Sequence, residues 1–431
     1  MIQSLLSFLD ASPVNYFAVA TLEERLSAAG FHKLDAAQPM PELHAGDQVY
    51  FTKNDSSLYA FRIGQQSLAD GGVRMICAHC DSPTFRVKPH PEMMGDGRLV
   101  RLNTEVYGGA ILSTWFDRPL SLAGRVMLRS SDPIHPVTRL LRIDRPILTI
   151  PNLAIHFNRE VNDGVKIGKQ KDVLPILGII GEQLEHNNLL LNLIAKELQA
   201  DAADILDFDL YLYDTTKAQT IGLNNEFVQS GRLDDLSMVQ AGLEALLSEP
   251  AAKQNGHTQV LAIFDNEETG SGTKQGAGSP FLRSLLERLV LAQGGKEDDF
   301  YRCIENSFMV SADNAHAWHP NYSEKYDPTN HPVMGGGPVI KFNAAQKYAS
   351  DADSAAVFAE VCRLAGVPCQ KFVNHSDIAG GSTLGNILTG SIPLRGVDMG
   401  NPIWAMHSVR ETGNCNDQIY CIKAFSKFFE L

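Results

Sequence analysis

Cysteine is scarce in this chain, which has seven cysteines in 431 residues. A secreted scaffold held by disulfides needs a denser and usually even set, so we expect free thiols in a reducing, cytoplasmic compartment. Long apolar runs are also missing, because no run approaches the roughly 18 residues that a membrane helix requires. The N-terminal segment lacks the basic region that begins a signal peptide. The sequence therefore predicts a cytoplasmic protein that is neither secreted nor membrane-bound.

Basic charge is in deficit. Lysine and arginine number 37 against 50 aspartates and glutamates, which gives a formal net charge of −13. Such a surface repels phosphate backbones and anionic lipids, which argues against nucleic acid and membranes as partners. It does not exclude metal ions, because carboxylates bind them. Hydrophobic residues make up 44% of the chain, an ordinary share for a globular protein with a large core.

The residue pattern, and with it the predicted secondary structure, changes along the chain. Residues 91–227 hold many short β-type runs and proline turns, which predict an inserted β-rich domain. In residues 228–431, strands alternate with helices, as in a sheet covered on both faces. We therefore predict an α/β fold in which 1–90 and 228–431 form one domain with a mostly parallel sheet flanked by helices. Ser12, followed by Pro13, is typical of a helix N-cap.

Polar side chains cluster where the predicted strands end or helices begin. In open α/β sheets, sites gather at the carboxyl ends of strands. Taken singly, such residues are usually helix caps, turn residues or core residues. Five such places in one framework instead predict a shared site, and histidine with carboxylates suits zinc, manganese or cobalt. The five places are His79-Cys80-Asp81, Asp234-Asp235, Asp265–Glu268, Asp313–His316 and His407.

Two adjacent carboxylates, Glu267 and Glu268, follow the predicted strand Val260–Phe264. Neighbouring carboxylates repel each other unless positive charge is near, and a metal ion supplies that charge. One glutamate can then bind the metal while the other acts as a general base towards water. A solvated acidic turn is the simpler alternative. Spacing by two residues puts His79 and Asp81 on one face of an extended segment, so Asp81 can orient His79 or lie beside the metal.

Two other motifs have simpler explanations. Cys77 and Cys80 have the spacing of a redox or zinc pair, but they follow a strand and no second cysteine pair accompanies them. We interpret them as buried cysteines. The glycine-rich segment 270–278 matches neither phosphate-binding pattern, and the acids before it would repel phosphate. We interpret it as a close-packed loop beside the metal site.

Six segments in register carry a family resemblance: AHCDSP (78–83), SGRLDDL (230–236), FDNEETGS (264–271), SADNAHAWHPNY (311–322), GPVIKFNAAQKYAS (337–350) and MHSVRET (406–412). Together they resemble the aspartyl aminopeptidase family, which are dinuclear zinc aminopeptidases related to vacuolar aminopeptidase I. Two more segments resemble that family's inserted domain: YGGAILSTWFDRPLSLAGRV (107–126) and NLAIHFNREVN (152–162).

The resemblance implies two zinc ions per subunit, for which Co²⁺ or Mn²⁺ can substitute. The implied ligands are His79 and Asp313 for one zinc, Glu268 and His407 for the other, and Asp234 as the bridge. Glu267 would be the general base, and Asp81 would support His79. The residues alone left open the choice between Asp234 and Asp235 and the division of roles between the two glutamates.

The resemblance also implies how substrate is bound and how subunits assemble. His156 would reach the active site of a neighbouring subunit and stabilise the tetrahedral intermediate. Lys341 and Tyr348 would read an acidic side chain, and Gly381 belongs to a variant of the family's substrate loop. The implied assembly is a tetrahedral homododecamer, in which the inserted domain at 91–227 would serve dimerisation or oligomerisation.

We therefore predict a metalloaminopeptidase that cleaves the first peptide bond of peptides with a free N-terminus and prefers N-terminal aspartate or glutamate. A preference for neutral or leucine-like N-termini is the alternative within the same family. A related dinuclear deacylase or carboxypeptidase would not need a free α-amine. A fourth hypothesis is a catalytically silent, metal-bound assembly that binds cargo. The presence of all the implied metal ligands and of the implied base argues against it.

Overall fold

The structure, a computed structural model, describes residues 1–95, 98–179, 188–248 and 256–431. The chain divides into two compact units. The first comprises Met1–Asp81, Ala218–Met406 and Glu411–Leu431, and the second comprises Ser82–Lys217 and His407–Arg410.

The helices and strands are numbered in chain order. The helices are α1 Ile2–Ala11, α2 Asn15–Ala28, α3 Leu68–Gly71, α4 Leu189–Leu198, α5 Leu233–Leu247, α6 Phe281–Ala292, α7 Glu297–Glu305, α8 Ala352–Ala365, α9 Leu384–Thr389 and α10 Cys415–Glu430. The strands are β1 His32–Lys33, β2 Gln48–Lys53, β3 Ser57–Arg62, β4 Val73–His79, β5 Thr84–Gly95, β6 Leu99–Tyr107, β7 Leu120–Leu128, β8 Val137–Arg142, β9 Ile176–Ile179, β10 Ile205–Asp214, β11 Gln219–Ile221, β12 Phe227–Ser230, β13 Thr258–Phe264, β14 Phe308–Ala312, β15 Ala315–His316, β16 Val339–Phe342, β17 Gln370–Val373, β18 Arg395–Gly400, β19 Pro402–Ile403 and β20 Glu411–Asn414. None of the described helices combines the length and the apolarity that crossing a bilayer demands.

A nine-stranded sheet forms the centre of the first unit, in the order β1-β2-β3-β13-β4-β14-β18-β16-β17. The central strands β13, β4, β14 and β18 are parallel, while β3 and β16 pair with them in the antiparallel sense. The predicted α/β fold, with a mostly parallel sheet flanked by helices, is confirmed.

Helices cover both faces of this sheet, and the strand sequences show why. Every residue of β13 and β14 is buried, and both strands are mostly apolar on both faces rather than alternating between apolar and polar residues. Alternate residues of β4 belong to different cores: Ile76 packs with the cluster that includes α1, α5 and α10, whereas Met75 packs with the cluster that includes α6 and α7.

The parallel register brings three strand ends to one edge. His79, the last residue of β4, is the register partner of Phe264, the last residue of β13. On the other side of β4, Ser311 of β14 pairs with Cys77. The polar residues that follow these strands therefore emerge side by side, because parallel strands end at the same edge of a sheet.

The second unit contains a six-stranded antiparallel sheet in the order β8-β7-β10-β5-β6-β9. Its limits differ from the predicted 91–227. Strand β5 starts at Thr84 and pairs with β6 and β10, so the unit begins before residue 91. At the other end, β11 and β12 pair with each other and with β20, which places them in the first unit.

The predicted N-cap at Ser12 is wrong. Helix α1 ends at Ala11, and α2 begins at Asn15 with Val14 as its N-cap. Ser12 is fully buried between the two helices and is the C-cap of α1. The physical reason is that a proline disfavours helical backbone at the preceding residue, so Pro13 ends one helix rather than beginning the next.

Candidate metal centre

His79 is held at the end of β4 by hydrogen bonds on both its backbone and its ring. Its backbone N–H donates to Asp235 Oδ2 at 3.2 Å. Its Nδ1 lies 3.1 Å from the carbonyl oxygen of Asp81, and its Nε2 lies 3.6 Å from Asp234 Oδ1. A proton on Nδ1 would be donated to Asp81, which leaves the Nε2 lone pair facing Asp234, the arrangement of a metal-binding histidine.

Four buried side chains converge here, and each offers one ligand atom within 4.8 Å of the others: His79, Asp234, Asp235 and Asp313. Asp234 and Asp235 lie in the first turn of α5, where their backbone angles depart from the helical values. Asp313 follows β14, and its N–H donates to Met399 of the adjacent β18. One helix start and two strand ends thus build the cluster.

The donor set fits a divalent cation. Asp235 Oδ1 is buried and accepts no hydrogen bond from any described residue. Three carboxylates around one imidazole repel each other, and a divalent ion between them would replace that repulsion with attraction. Imidazole nitrogen and carboxylate oxygen are also donors that zinc takes in catalytic sites.

Glu267 and Glu268 lie in a short 3₁₀ turn, Glu267–Thr269, after β13. Their side chains group with His79, again with ligand atoms within 4.8 Å. Asp81 holds this turn, because the backbone N–H groups of Glu267 and Glu268 donate to its two carboxylate oxygens, each at 3.1 Å. Asp81 therefore positions both His79 and the glutamate pair, which is more than the support of His79 that the sequence predicted.

The protonation of the cluster reflects burial and crowding. Burial, together with the charges of Asp313, Glu268 and Asp81, raises the pKa of Glu267 to about 9, although His79 opposes the shift. Burial alone would lower the pKa of His79, but its hydrogen bond with Asp234 and the charge of Asp235 raise that pKa well above 6.5. Without a cation, the cluster therefore retains protons at neutral pH.

Lys341 contacts the cluster through Asp313. Its Nζ lies 3.4 Å from Asp313 Oδ2, donates to the Asn314 carbonyl at 3.2 Å and lies 5.5 Å from the centre of the Tyr348 ring. Burial lowers the pKa of Lys341, but the negative charges around it, with Asp313 first and Asp398 and Asp235 among the others, together outweigh this and raise it to about 12. Lys341 is therefore a buried, permanently charged ammonium next to a predicted metal ligand.

Three further predicted site residues are described by their own surroundings. His407 belongs to the second unit, where its Nδ1 lies 3.2 Å from the Gly109 carbonyl oxygen, so its role as a ligand stays a prediction. His156 also belongs to the second unit and is exposed in the 3₁₀ turn Ile155–Phe157. Gly381 is exposed in the loop before α9.

One buried acid was missed by sequence reasoning, and another was not distinguished from its neighbour. Asp235 belongs to the cluster, yet nothing in the sequence separated it from its neighbour Asp234. Glu411 is 1% exposed, and its Oε2 accepts the backbone N–H of Asp234 at 3.0 Å. Glu411 could have been found from the motif MHSVRET, in which it lies four residues after His407. We used that motif only to predict His407 as a metal ligand.

Known proteins match this chain over its whole length. The family described as aminopeptidase I zinc metalloprotease (M18) matches residues 8–429. A probable M18 family aminopeptidase 2 from Clostridium acetobutylicum is 52% identical over 429 residues, which is 100% of this chain and 98% of the relative.

Solved structures agree. The cryo-EM structure of the Ape4 and Nbr1 complex is 37% identical with a TM-score of 0.95, over 99% of this chain and 85% of that one. The S. cerevisiae mApe1 dodecamer is 26% identical with a TM-score of 0.87, over 99% of this chain and 96% of that one.

A parallel sheet whose strand ends carry a buried histidine, carboxylates and a glutamate pair defines a metal-dependent hydrolase. The chain belongs to the M18 family, whose description is that of zinc metalloproteases of the aminopeptidase I type. It is accordingly a metalloaminopeptidase.

Proposed function

We propose that this enzyme uses two zinc ions to remove aspartate or glutamate from the N-terminus of peptides. The observation that carries the proposal is the convergence of His79, Asp234 and Asp313 beside the turn that holds Glu267 and Glu268. In this proposal His79 and Asp313 would hold one ion, Glu268 would help to hold the other, and Asp234 would be a ligand of both. The other ligand of the second ion is His407, on the strength of its motif.

When bound, zinc supplies Lewis-acid charge that makes water more acidic and favours negative charge on the scissile carbonyl oxygen. Glu267 then takes the proton of the attacking water on its carboxylate and passes it to the leaving amine. Asp81 keeps Glu267 in place through the turn amide, and holds His79 with Nδ1 protonated. A bound cation would lower the pKa of Glu267 from its raised metal-free value and so favour the carboxylate form that a base needs.

The proposed acidic preference rests on local positive charge in a chain whose net charge is −13. Lys341 stays charged at neutral pH, and a buried ammonium attracts a carboxylate more strongly than an exposed one. Its pairing with Asp313 means that it shares this charge with the metal site. Tyr348 and the loop that carries Gly381 complete the proposed substrate pocket.

The oligomeric state of this protein is also proposed by similarity. The mApe1 structure is a dodecamer, and the match of this chain to it supports a homododecamer of this protein. Its tetrahedral symmetry is proposed from the family resemblance of the sequence alone.

A panel of aminoacyl substrates tests the function. We expect Asp- and Glu-terminated substrates to be cleaved with a higher kcat/KM than the Leu-terminated one, because Lys341 attracts the acidic side chain. The Lys341→Met variant should narrow that difference. Faster cleavage of the Leu-terminated substrate would overturn the acidic preference while leaving the aminopeptidase intact.

The same panel separates the other readings. Cleavage of N-acetylated peptides would select a deacylase or carboxypeptidase, since neither requires a free α-amine. No hydrolysis of any substrate by protein with full zinc occupancy would select a silent cargo-binding assembly.

His156 provides a second prediction. If it stabilises the tetrahedral intermediate in a neighbouring subunit, His156→Ala should lower kcat by about 100-fold, as removal of an oxyanion donor does. Zinc content and assembly size should stay unchanged, because His156 is an exposed residue that binds no metal in this proposal. Elemental analysis and light scattering check both, with exposed His135→Ala as the matched control. A fully active variant would exclude the cross-subunit role.

A further inference from the structure

Glu411 is a buried carboxylate that the proposed mechanism does not use. It is 1% exposed and is the first residue of β20. Strand β20 pairs with β12 so that Glu411 is opposite Ser230. From Ser230 the chain reaches Asp234 at the start of α5 in four residues. The pairing of β12 with β20 therefore places Glu411 next to the chain segment that leads into Asp234, the proposed bridging ligand.

The hydrogen bond from Asp234 to Glu411 meets a specific need of α5. Amide groups in the first turn of a helix have no partner within the helix. Asp234 departs further from the helix, with φ −80° and ψ 106°. The Glu411 carboxylate accepts its N–H at 3.0 Å, and the side chain of Asp234 then faces His79 Nε2 at 3.6 Å. The orientation of Asp234 thus depends on a backbone conformation that Glu411 stabilises.

We infer that Glu411 is a positioning residue for the metal centre, acting through the backbone of Asp234. This inference deepens the proposed two-zinc function and rests on it for the role of Asp234. In this inference, Glu411 acts by placing an acceptor oxygen where it receives the backbone N–H of Asp234. Groups that orient metal ligands typically change metal affinity or activity by about 10- to 100-fold when removed.

Two variants separate acceptor position from charge. Glu411→Gln keeps the length and an acceptor oxygen but removes the charge, so we expect metal affinity to fall by no more than about fivefold, the size of a charge effect near a helix start. Glu411→Asp keeps the charge but withdraws the acceptor by one methylene. We expect it to weaken metal binding by about 10- to 100-fold and to lower kcat more than it changes KM.

Glu92 is the matched control. It lies in the second unit, and its Oε1 accepts the N–H of Leu190 in the first turn of α4 at 2.8 Å. The Glu92→Gln and Glu92→Asp variants therefore make the same changes to the same kind of hydrogen bond. We expect both to leave metal affinity unchanged, even where they lower the thermal midpoint.

The measurements are zinc affinity by competition with a chelator and the visible absorption spectrum of the cobalt-substituted protein, both well below the unfolding temperature. The inference predicts an altered cobalt spectrum for Glu411→Asp and a nearly unaltered one for Glu411→Gln. Wild-type affinity and spectrum in the Asp variant, or a larger defect in the Gln variant, would overturn it. Inactive wild-type protein that binds zinc normally would instead contradict the proposed function, since these readouts need no turnover.

Discussion

A Glu267→Gln variant is expected to lose about 10²- to 10⁴-fold in kcat, the usual contribution of a positioned general base. The amide cannot take a proton from water, but it has nearly the size of the carboxylate. The turn should persist, because Asp81 holds it through backbone N–H groups and not through the replaced side chain. Metal content should stay at the wild-type level, since Glu267 is the base and not a ligand in our proposal. Steady-state kinetics and elemental analysis measure both quantities.

The control for this variant is Glu324→Gln, which changes an exposed glutamate in another 3₁₀ turn of the first unit. It should behave as wild type. Glu268→Gln is the informative comparison, because it should lose metal as well as turnover. A Glu267→Gln enzyme with near wild-type kcat would reject Glu267 as the base, and loss of its metal would place it among the ligands.

Removal of the metal is expected to lower kcat/KM by more than about 10⁴-fold, because the Lewis acid contributes several kcal/mol to transition-state stabilisation. The protein should also become less stable, by about 4 kcal/mol relative to a free zinc concentration 1,000-fold above Kd. Treatment with a chelator followed by gel filtration and elemental analysis prepares the metal-free protein. Zn²⁺, Co²⁺ or Mn²⁺ should restore activity.

Chelator saturated with zinc beforehand is the control for effects other than metal removal. Activity that persists in protein shown to be free of metal would contradict a metal-dependent mechanism. Partial restoration at one equivalent and full restoration at two would support two ions per subunit.

The pH dependence of metal binding follows from the pKa shifts. In the metal-free cluster the pKa of His79 is raised well above 6.5 and that of Glu267 to about 9, so both groups hold protons at neutral pH. A cation must displace the proton of His79, and protons are therefore released on binding. Affinity should accordingly rise with pH, by up to about tenfold per pH unit for each proton released, which calorimetry in buffers of different ionisation enthalpy measures. An affinity independent of pH would contradict these protonation states.

Much of the first unit could be predicted from local patterns. The apolar run before His79 predicted β4, and the run before Asp265 predicted β13, because buried parallel strands are continuously apolar. The residue pattern at 352–365 predicts a helix, and α8 has these bounds, Ala352–Ala365. Ser12-Pro13 was misinterpreted, because the same pair is compatible with a helix end and with a helix start, and only burial between α1 and α2 decides between them.

The residue types of the candidate site could be predicted from the sequence, but the hydrogen bonds between them could not. Parallel strands end at the same edge of a sheet. The polar residues that directly follow the predicted strands could therefore be expected to lie close together. Asp81 was predicted beside His79, yet its two hydrogen bonds to the amides of Glu267 and Glu268 span more than 180 residues of sequence. Local pattern contains no information on such distant partners.

The sequence by itself determined the class of this protein: its composition and its alternation of strand and helix patterns indicated a globular α/β chain, and the family resemblance of its motifs indicated a metalloaminopeptidase. Tertiary structure alone decided that Lys341 pairs with Asp313, that Asp235 joins Asp234 around His79, and that Glu411 holds the start of α5. The reason is physical. Residue types and spacing set which chemistry is available, whereas the protonation and orientation of each group depend on burial and on neighbours that only the folded chain brings within a few ångströms.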